Sequence, residues 1–181
     1  MIQFSKGELV PLTDALINEI YYWKYEEPMQ AAKKWNGPYI KEPHMQKTTF
    51  LQETKQNRFI YPNVEGTLAI IIDGKFIGTV GSYWVDKQKN WLEIGIVIYD
   101  SDYWESGIGS EVFQCWVDYL FGNDFIHRLG ISTWSGNVRM IKLASKVGMQ
   151  EEARIRQARQ VNDQYYDAIK MGILKSEWMN N

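Results

Sequence analysis

The feature that most restricts this chain is one continuous passage. Trp91-Leu92-Glu93-Ile94-Gly95-Ile96-Val97-Ile98-Tyr99 is β-rich and leads through a short polar loop, Asp100 to Ser106. It then enters Gly107-Ile108-Gly109-Ser110-Glu111 and an apolar helical stretch. The β run is apolar on both faces, which fits a strand inside a sheet better than one at its edge. The first-turn N–H groups of the helix that follows lack partners within it and sit at the positive end of its dipole. Glycines let the backbone come close to an anion. A strand, a Gly-x-Gly turn and a helix in that order can therefore seat a pyrophosphate. Two familiar phosphate loops do not fit. The dinucleotide fingerprint needs a third glycine where Val112 stands, and a P-loop needs a Gly-Lys-Ser/Thr triplet that is absent here. Gly-x-Gly alone reads equally well as an ordinary tight turn into a helix.

The rest of the chain supplies the context. Ile2 to Phe4 is expected as a short strand, and Thr13 to Tyr25 as a helix with cap-type residues at its start. Glu26-Glu27-Pro28 ends that helix. Asn36-Gly37-Pro38 and Glu42-Pro43 are turn signals, and His44 to Asn57 is expected as a second helix. Thr67 to Ile72 and Phe76 to Val85 flank Asp73-Gly74, a strong two-residue hairpin signal. With Trp91 to Tyr99 they form a meander. A helix over 110–121, a strand over 127–134 and an amphipathic helix over 137–147 follow, the last with Arg139, Lys142 and Lys146 on its polar side. Gly148 suits the helix end. Two last strands, 150–161 and 165–174, flank the turn Asn162-Asp163. This order predicts one α+β domain over residues 1–181 with a mixed sheet, not an alternating doubly wound fold.

Composition narrows the function classes. At 181 residues, 45% hydrophobic and 23% charged, the chain is globular in character. A net charge of −2 argues against a nucleic-acid partner. A single cysteine, Cys115, allows no intrachain disulfide. The opening residues lack the apolar run of a signal peptide, and no stretch is long and apolar enough to span a bilayer. The expectation is a cytoplasmic protein without a membrane partner. Cys115 sits among apolar neighbours mid-helix and reads as a buried thiol. His44 and His127 have no ligand spacing, so no metal is expected. Arg154, Arg156 and Arg159 read as a solvated strand face.

Taken together, these motifs resemble the GNAT superfamily of N-acetyltransferases. Its acetyl-CoA motif, Gln/Arg-x-x-Gly-x-Gly/Ala, aligns with Trp104-Glu105-Ser106-Gly107-Ile108-Gly109, with Trp104 in place of the usual Gln or Arg. Glu93-Ile94-Gly95, Tyr103-Trp104, Asn137 and Gly148-Met149, and the ending Asp167 to Met171, look like the branch of ribosomal-protein N-terminal and spermidine-type acetyltransferases. The likeness is good over residues 65–175, the expected acetyl-CoA-binding core, and loose over 1–60, the expected acceptor-side helices. It implies a GNAT fold: a mixed, mostly antiparallel sheet of about seven strands, splayed between the fourth and fifth and flanked by helices.

The resemblance also implies chemistry. Family members bind amine and acetyl-CoA together and transfer the acetyl group directly in a ternary complex, without an acyl-enzyme. The acceptor class is a protein N-terminus, a polyamine or another small amine. By position, Ile96, Val97 and Ile98 offer backbone to the pantetheine, with the Val97 N–H as oxyanion donor. Trp104, Gly107, Ile108, Gly109 and Ser110 surround the pyrophosphate. Asn137 either contacts the pantetheine arm or caps the helix after it. Glu93 is either a general base acting through water, with a raised pKa, or a salt-bridged sheet residue. Trp23, Glu26 and Glu27 either line the acceptor pocket, where the acids would attract a cationic amine, or form a solvated helix end. The positions where relatives carry a general acid hold Ala144 and Met140. That leaves a second reading, a GNAT-fold module that binds acyl-CoA without turnover. A third is another nucleotide-binding α+β protein. A homodimer is a state common in that branch.

Overall fold

The computed structural model describes residues 1–180. Ten strands and five α-helices follow in the order β1 (Ile2–Phe4), β2 (Gly7–Pro11), α1 (Asp14–Tyr21), α2 (Lys47–Gln56), β3 (Phe59–Tyr61), β4 (Val64–Glu65), β5 (Thr67–Ile72), β6 (Lys75–Asp86), β7 (Trp91–Ile98), α3 (Ile108–Phe121), β8 (Arg128–Trp134), α4 (Val138–Lys146), β9 (Gln150–Val161), β10 (Gln164–Leu174) and α5 (Lys175–Trp178). Eight strands build one sheet in the order β1-β2-β5-β6-β7-β8-β10-β9, and β3 and β4 form a separate two-stranded ribbon. The expected count of about seven becomes eight because Gly7–Pro11 doubles back on β1 and pairs with β5 on its other side. The expected helix over 13–25 is an α-helix only to Tyr21. A single π-helical turn, Tyr22–Glu26, completes it.

Local chemistry explains the turns. Asp73 and Gly74 both have positive φ (49° and 75°), as do Asn162 and Asp163 (48° and 61°). This is the type I′ geometry that matches strand twist and that Asn, Asp and Gly tolerate best. It sets the β5–β6 and β9–β10 registers at Ile72↔Lys75 and Val161↔Gln164. Thr13 caps α1 by accepting the Leu16 N–H, and Gly148 at φ 87° ends α4.

Every pairing in the large sheet is antiparallel except β7 with β8. That parallel pairing covers only Trp91↔Arg128, Leu92↔Leu129 and Glu93↔Gly130. Beyond Glu93 the two strands diverge, which is the expected splay. Helices cover both faces. On one, α3 and α4 pack a large core that includes Val112, Phe113, Trp116 and Leu120 against Ile77, Val80, Leu92 and Ile131. On the other, α1 and α2 close a smaller core around Ile17, Ile20, Ala69 and Phe76. No helix among the described residues is long and apolar enough to cross a membrane.

Trp116 is fully buried, donates its indole N–H to the Gly81 carbonyl (3.2 Å) and stacks on Tyr119. It carries α3 down onto β6, the strand that neighbours the splayed one. Trp116→Ala is expected to lower unfolding free energy by about 3–5 kcal/mol. Urea unfolding would read this as a lower midpoint at unchanged slope.

Candidate active site

The splay leaves one edge of β7 unpaired from Ile94 onward. The direction of each backbone group there follows from two hydrogen bonds. The Tyr99 N–H donates to Ile77 O, and the Ser82 N–H turns away from β7 to Gly66 O, both at 2.8 Å. Pairing between β6 and β7 is unbroken from Gly78↔Ile98 to Trp84↔Leu92. In an antiparallel ladder the partners alternate, so Gly95 and Val97 direct their backbone groups at β6. Ile94, Ile96 and Ile98 direct theirs into the gap. The Trp104 indole N–H confirms the direction by donating to Ile98 O at 2.9 Å. The expectation of a free Val97 N–H is thereby corrected. The ladder occupies it, and the gap-facing amides are those of Ile96 and Ile98.

Side chains alternate the other way, and a cleft lies on each face of the strand. The larger, about 420 Å³, is lined by Ile96 and Ile98, the loop residues Tyr103, Trp104 and Glu105, the α3 start at Gly107, Gly109 and Ser110, and Asn137, Arg139, Met140, Lys142, Leu143 and Lys146 at α4. Its loop is tied down from within. Lys75 pairs with the buried Asp100 carboxylate (2.7 Å), which accepts the Asp102 N–H, and the Ser106 hydroxyl bonds the Tyr103 carbonyl. Gly107 has φ 84°, a conformation side chains rarely adopt, and nothing lies within 4 Å of where its Cβ would be. The backbone thus leaves open space in front of the first turn of α3. Lys146 reaches over that turn, its Nζ 3.3 Å from the Ser110 hydroxyl. Together with Lys142 it leaves the cleft net cationic, the charge of Arg139 being matched by Glu105. This combination of helix N-terminus, open glycine turn and basic wall suits a multiply anionic ligand. The three basic residues were legible as the polar side of an amphipathic helix, but their facing the cleft was not.

The Arg139 guanidinium lies between the Trp35 and Trp104 rings, 4.8 Å from each, and pairs with Glu105 (2.6 Å). Asn137 caps α4, its Oδ1 accepting the Met140 N–H (3.1 Å), while its Nδ2 donates to Trp35 O (3.1 Å). Ile108 is core, so only its backbone belongs to the first turn. Ala144 is fully buried and Met140 carries no proton, so α4 offers no acid at either expected position.

The second cleft, about 140 Å³, lies on the Val97 and Tyr99 side and is walled by Trp23, Lys24, Gln30, Lys33, Asn36 and Glu42. Trp23 stacks on Tyr99 with centroids 6.2 Å apart. Glu26 and Glu27 line neither cleft. Glu26 faces Lys47 at 4.0 Å, and Glu27 accepts backbone N–H groups of Met29 and Gln30.

Glu93 lies beside the splay on the face of Val97, almost wholly buried at 3% exposure. Its Oε1 receives Ser132 (2.7 Å) and Lys170 (2.5 Å), and its Oε2 receives the Tyr83 hydroxyl. Burial pushes its pKa up, but these donors, Lys170 first, outweigh burial and hold it below its ordinary value. The expected raised pKa is therefore corrected to a lowered one. Burial, and then the contact with Glu93, pushes the pKa of the Tyr83 hydroxyl up. The Arg154–Glu151 and Arg154–Asp167 pairs lie on the exposed β9–β10 hairpin, while Arg159 folds over the Tyr39 ring. Burial raises the Cys115 thiol pKa. No three His, Cys, Asp or Glu side chains cluster for a metal among the described residues.

Comparison with known proteins fits this geometry. The spermidine N-acetyltransferase of Vibrio cholerae in complex with CoA and spermine superposes with TM-score 0.79 at 18% identity, over 98% of this chain and all of that one. A GNAT-family acetyltransferase from Bacillus anthracis gives 0.72 at 15% identity, over 97% and 99%. Both show the shared fold. In sequence, the uncharacterized N-acetyltransferase p20 of Bacillus licheniformis is 29% identical over 104 residues, 56% of this chain and 57% of that protein. The chain thus spans little more than half the length of that curated relative. The family model for the acetyltransferase (GNAT) domain matches residues 8–150, most of the chain, and the chain belongs to the GNAT acetyltransferase family.

Proposed function

We propose that this chain moves an acetyl group from acetyl-CoA to a primary amine by direct attack in a ternary complex. The observation that carries the reading is the splayed edge of β7, with a cationic cleft on one face and a smaller aromatic cleft on the other. The residues present fit the co-substrate. The open turn at Gly107, the first-turn amides through Ser110, and Lys142, Lys146 and Arg139 would hold its phosphates. The gap-facing backbone of Ile96 and Ile98 would pair with its pantetheine arm. When bound, acetyl-CoA supplies a thioester carbonyl and a thiolate leaving group. The amine nitrogen forms a bond to the carbonyl carbon, the carbon–sulfur bond breaks, the nitrogen loses a proton to solvent, and the sulfur leaves as thiolate and takes one up.

Each role falls to a definite group. The Ile96 N–H faces the gap and is the oxyanion donor in this reading. Asn137 is spent on Met140 and Trp35 and positions α4 against the acceptor side. Glu93 is ionised at neutral pH and already saturated by donors, so it shapes the floor beside the splay instead of removing the proton. The amine then reacts as its free base, a minor fraction at neutral pH because amine pKa values lie near 10. The absence of an acid on α4 keeps the non-catalytic acyl-CoA-binding module as a second reading. Turnover with any primary amine would discard it.

Calorimetric titration with acetyl-CoA tests the cofactor. Wild type is expected to bind, and Gly109→Glu to bind at least tenfold more weakly. Gly109 is the better position to alter, because a Cβ there meets only Ile98 Cδ1 at 3.6 Å and φ is not positive, so the variant should fold. A folded wild type that ignores acetyl-CoA would end the proposal. Glu93→Gln tests the carboxylate. It leaves charged and hydroxyl donors poorly matched and should cost about 1–3 kcal/mol at neutral pH. The lowered folded pKa means that wild-type Glu93 contributes its stability in full above the ordinary value of 4.5 and loses it as pH falls below that value. Urea midpoints taken between pH 3 and pH 7 should therefore fall more steeply for wild type than for the variant. Glu93→Gln should leave kcat at saturating amine within a few-fold of wild type. A loss of about a hundredfold or more with acetyl-CoA binding intact would restore Glu93 as the base.

A further inference from the structure

The small cleft carries a charge pattern that bears on the acceptor. Its apolar part is Val97, Ala31, Ala32 and the Trp23–Tyr99 stack. Its ionisable walls are Lys24, Lys33 and Glu42, with Tyr99 held neutral because burial pushes its pKa up to about 12. Every carboxylate of the neighbouring segment is committed elsewhere. Glu42 pairs with Lys24 at 3.3 Å, Glu26 faces Lys47, and Glu27 caps two backbone amides. Lys33 makes no ion pair among the described residues. The uncompensated charge presented to a molecule in this cleft is therefore positive. A second ammonium group would meet repulsion there, and an anion would meet attraction. The cleft is the smaller of the two, about 140 Å³, which favours a short occupant.

We infer that the acceptor is a short primary amine bearing a carboxylate a few carbons from the nitrogen, and that Lys33 selects it. The inference rests on the acetyl-transfer reading, because it places the nitrogen at the splay beside Val97. The carboxylate then lies toward Lys33, and the carbon chain crosses Trp23 and Tyr99. Polyamines, whose far end is cationic, are disfavoured. This separates the chain from its spermine-bound structural neighbour despite the shared fold.

Three four-carbon amines isolate the effect: 4-aminobutyrate, butylamine and 1,4-diaminobutane differ only at the far end. Each is titrated into the protein saturated with CoA, and each is assayed with acetyl-CoA. 4-Aminobutyrate is expected to bind at least tenfold more tightly than the diamine, with butylamine between, and kcat/KM should follow the same order. Lys33→Ala should bring 4-aminobutyrate close to butylamine, and Lys33→Glu should invert the order. The diamine binding as well as the amino acid, or a ratio unmoved by either Lys33 variant, would overturn the inference. So would acetyl-CoA binding with no binding of any of the three. Failure of acetyl-CoA itself to bind would instead bring down the acetyl-transfer reading, and the order of the three amines on the free protein would still test the cleft.

Discussion

The arrangement depends on a parallel pairing that stops early. β7 and β8 hold together for three residue pairs and then separate, while each keeps its pairing on the other edge. β7 is locked to β6 and β8 to β10, both by long antiparallel ladders. Backbone amides that a regular sheet would consume are left facing an opening. The Trp104 indole takes one of the exposed carbonyls, that of Ile98, and in doing so ties the loop before α3 to the strand. A failure of pairing thus becomes a fixed slot, with its polar groups aimed by the strands on either side.

The two faces of that slot differ in electrostatics. One receives a helix N-terminus and the basic side of α4, so its field favours dense negative charge. The other is apolar and aromatic, with charges largely neutralised in pairs. Strand alternation makes the difference possible. Consecutive residues of one strand, Ile96, Val97 and Ile98, face the two compartments in turn, while their amides lie in the plane between.

The turns were readable because Asp73-Gly74 and Asn162-Asp163 demand backbone angles few other residues accept. The strand–glycine–helix passage was readable because its order is local. Seven of the nine residues expected around the cofactor, Ile96, Ile98, Trp104, Gly107, Gly109, Ser110 and Asn137, do line one cleft. What escaped was set by distant neighbours. Gly7–Pro11 is held as a strand between β1 and β5, and β5 lies far away in sequence. Glu93 differs from a poised base through Ser132 and Lys170, which are far away in sequence. Whether Val97 or Ile96 offers its amide depends on pairing parity, which is set by the strand next door. Periodicity marked Arg139, Lys142 and Lys146 as facing away from the core, but it could not say what stood opposite.

Trp35 has a consequence of its own. Its carbonyl accepts from both Trp134 and Asn137, and its ring covers Arg139, whose other side rests on Trp104. One residue of the segment before α2 therefore stands behind Asn137 and Arg139, two residues that line the larger cleft. A graft that replaced residues 28–46 with a segment from another family member, in order to change the acceptor, would also withdraw a support from α4. A change at Trp35 itself would reach α4 directly, through Asn137 and Arg139.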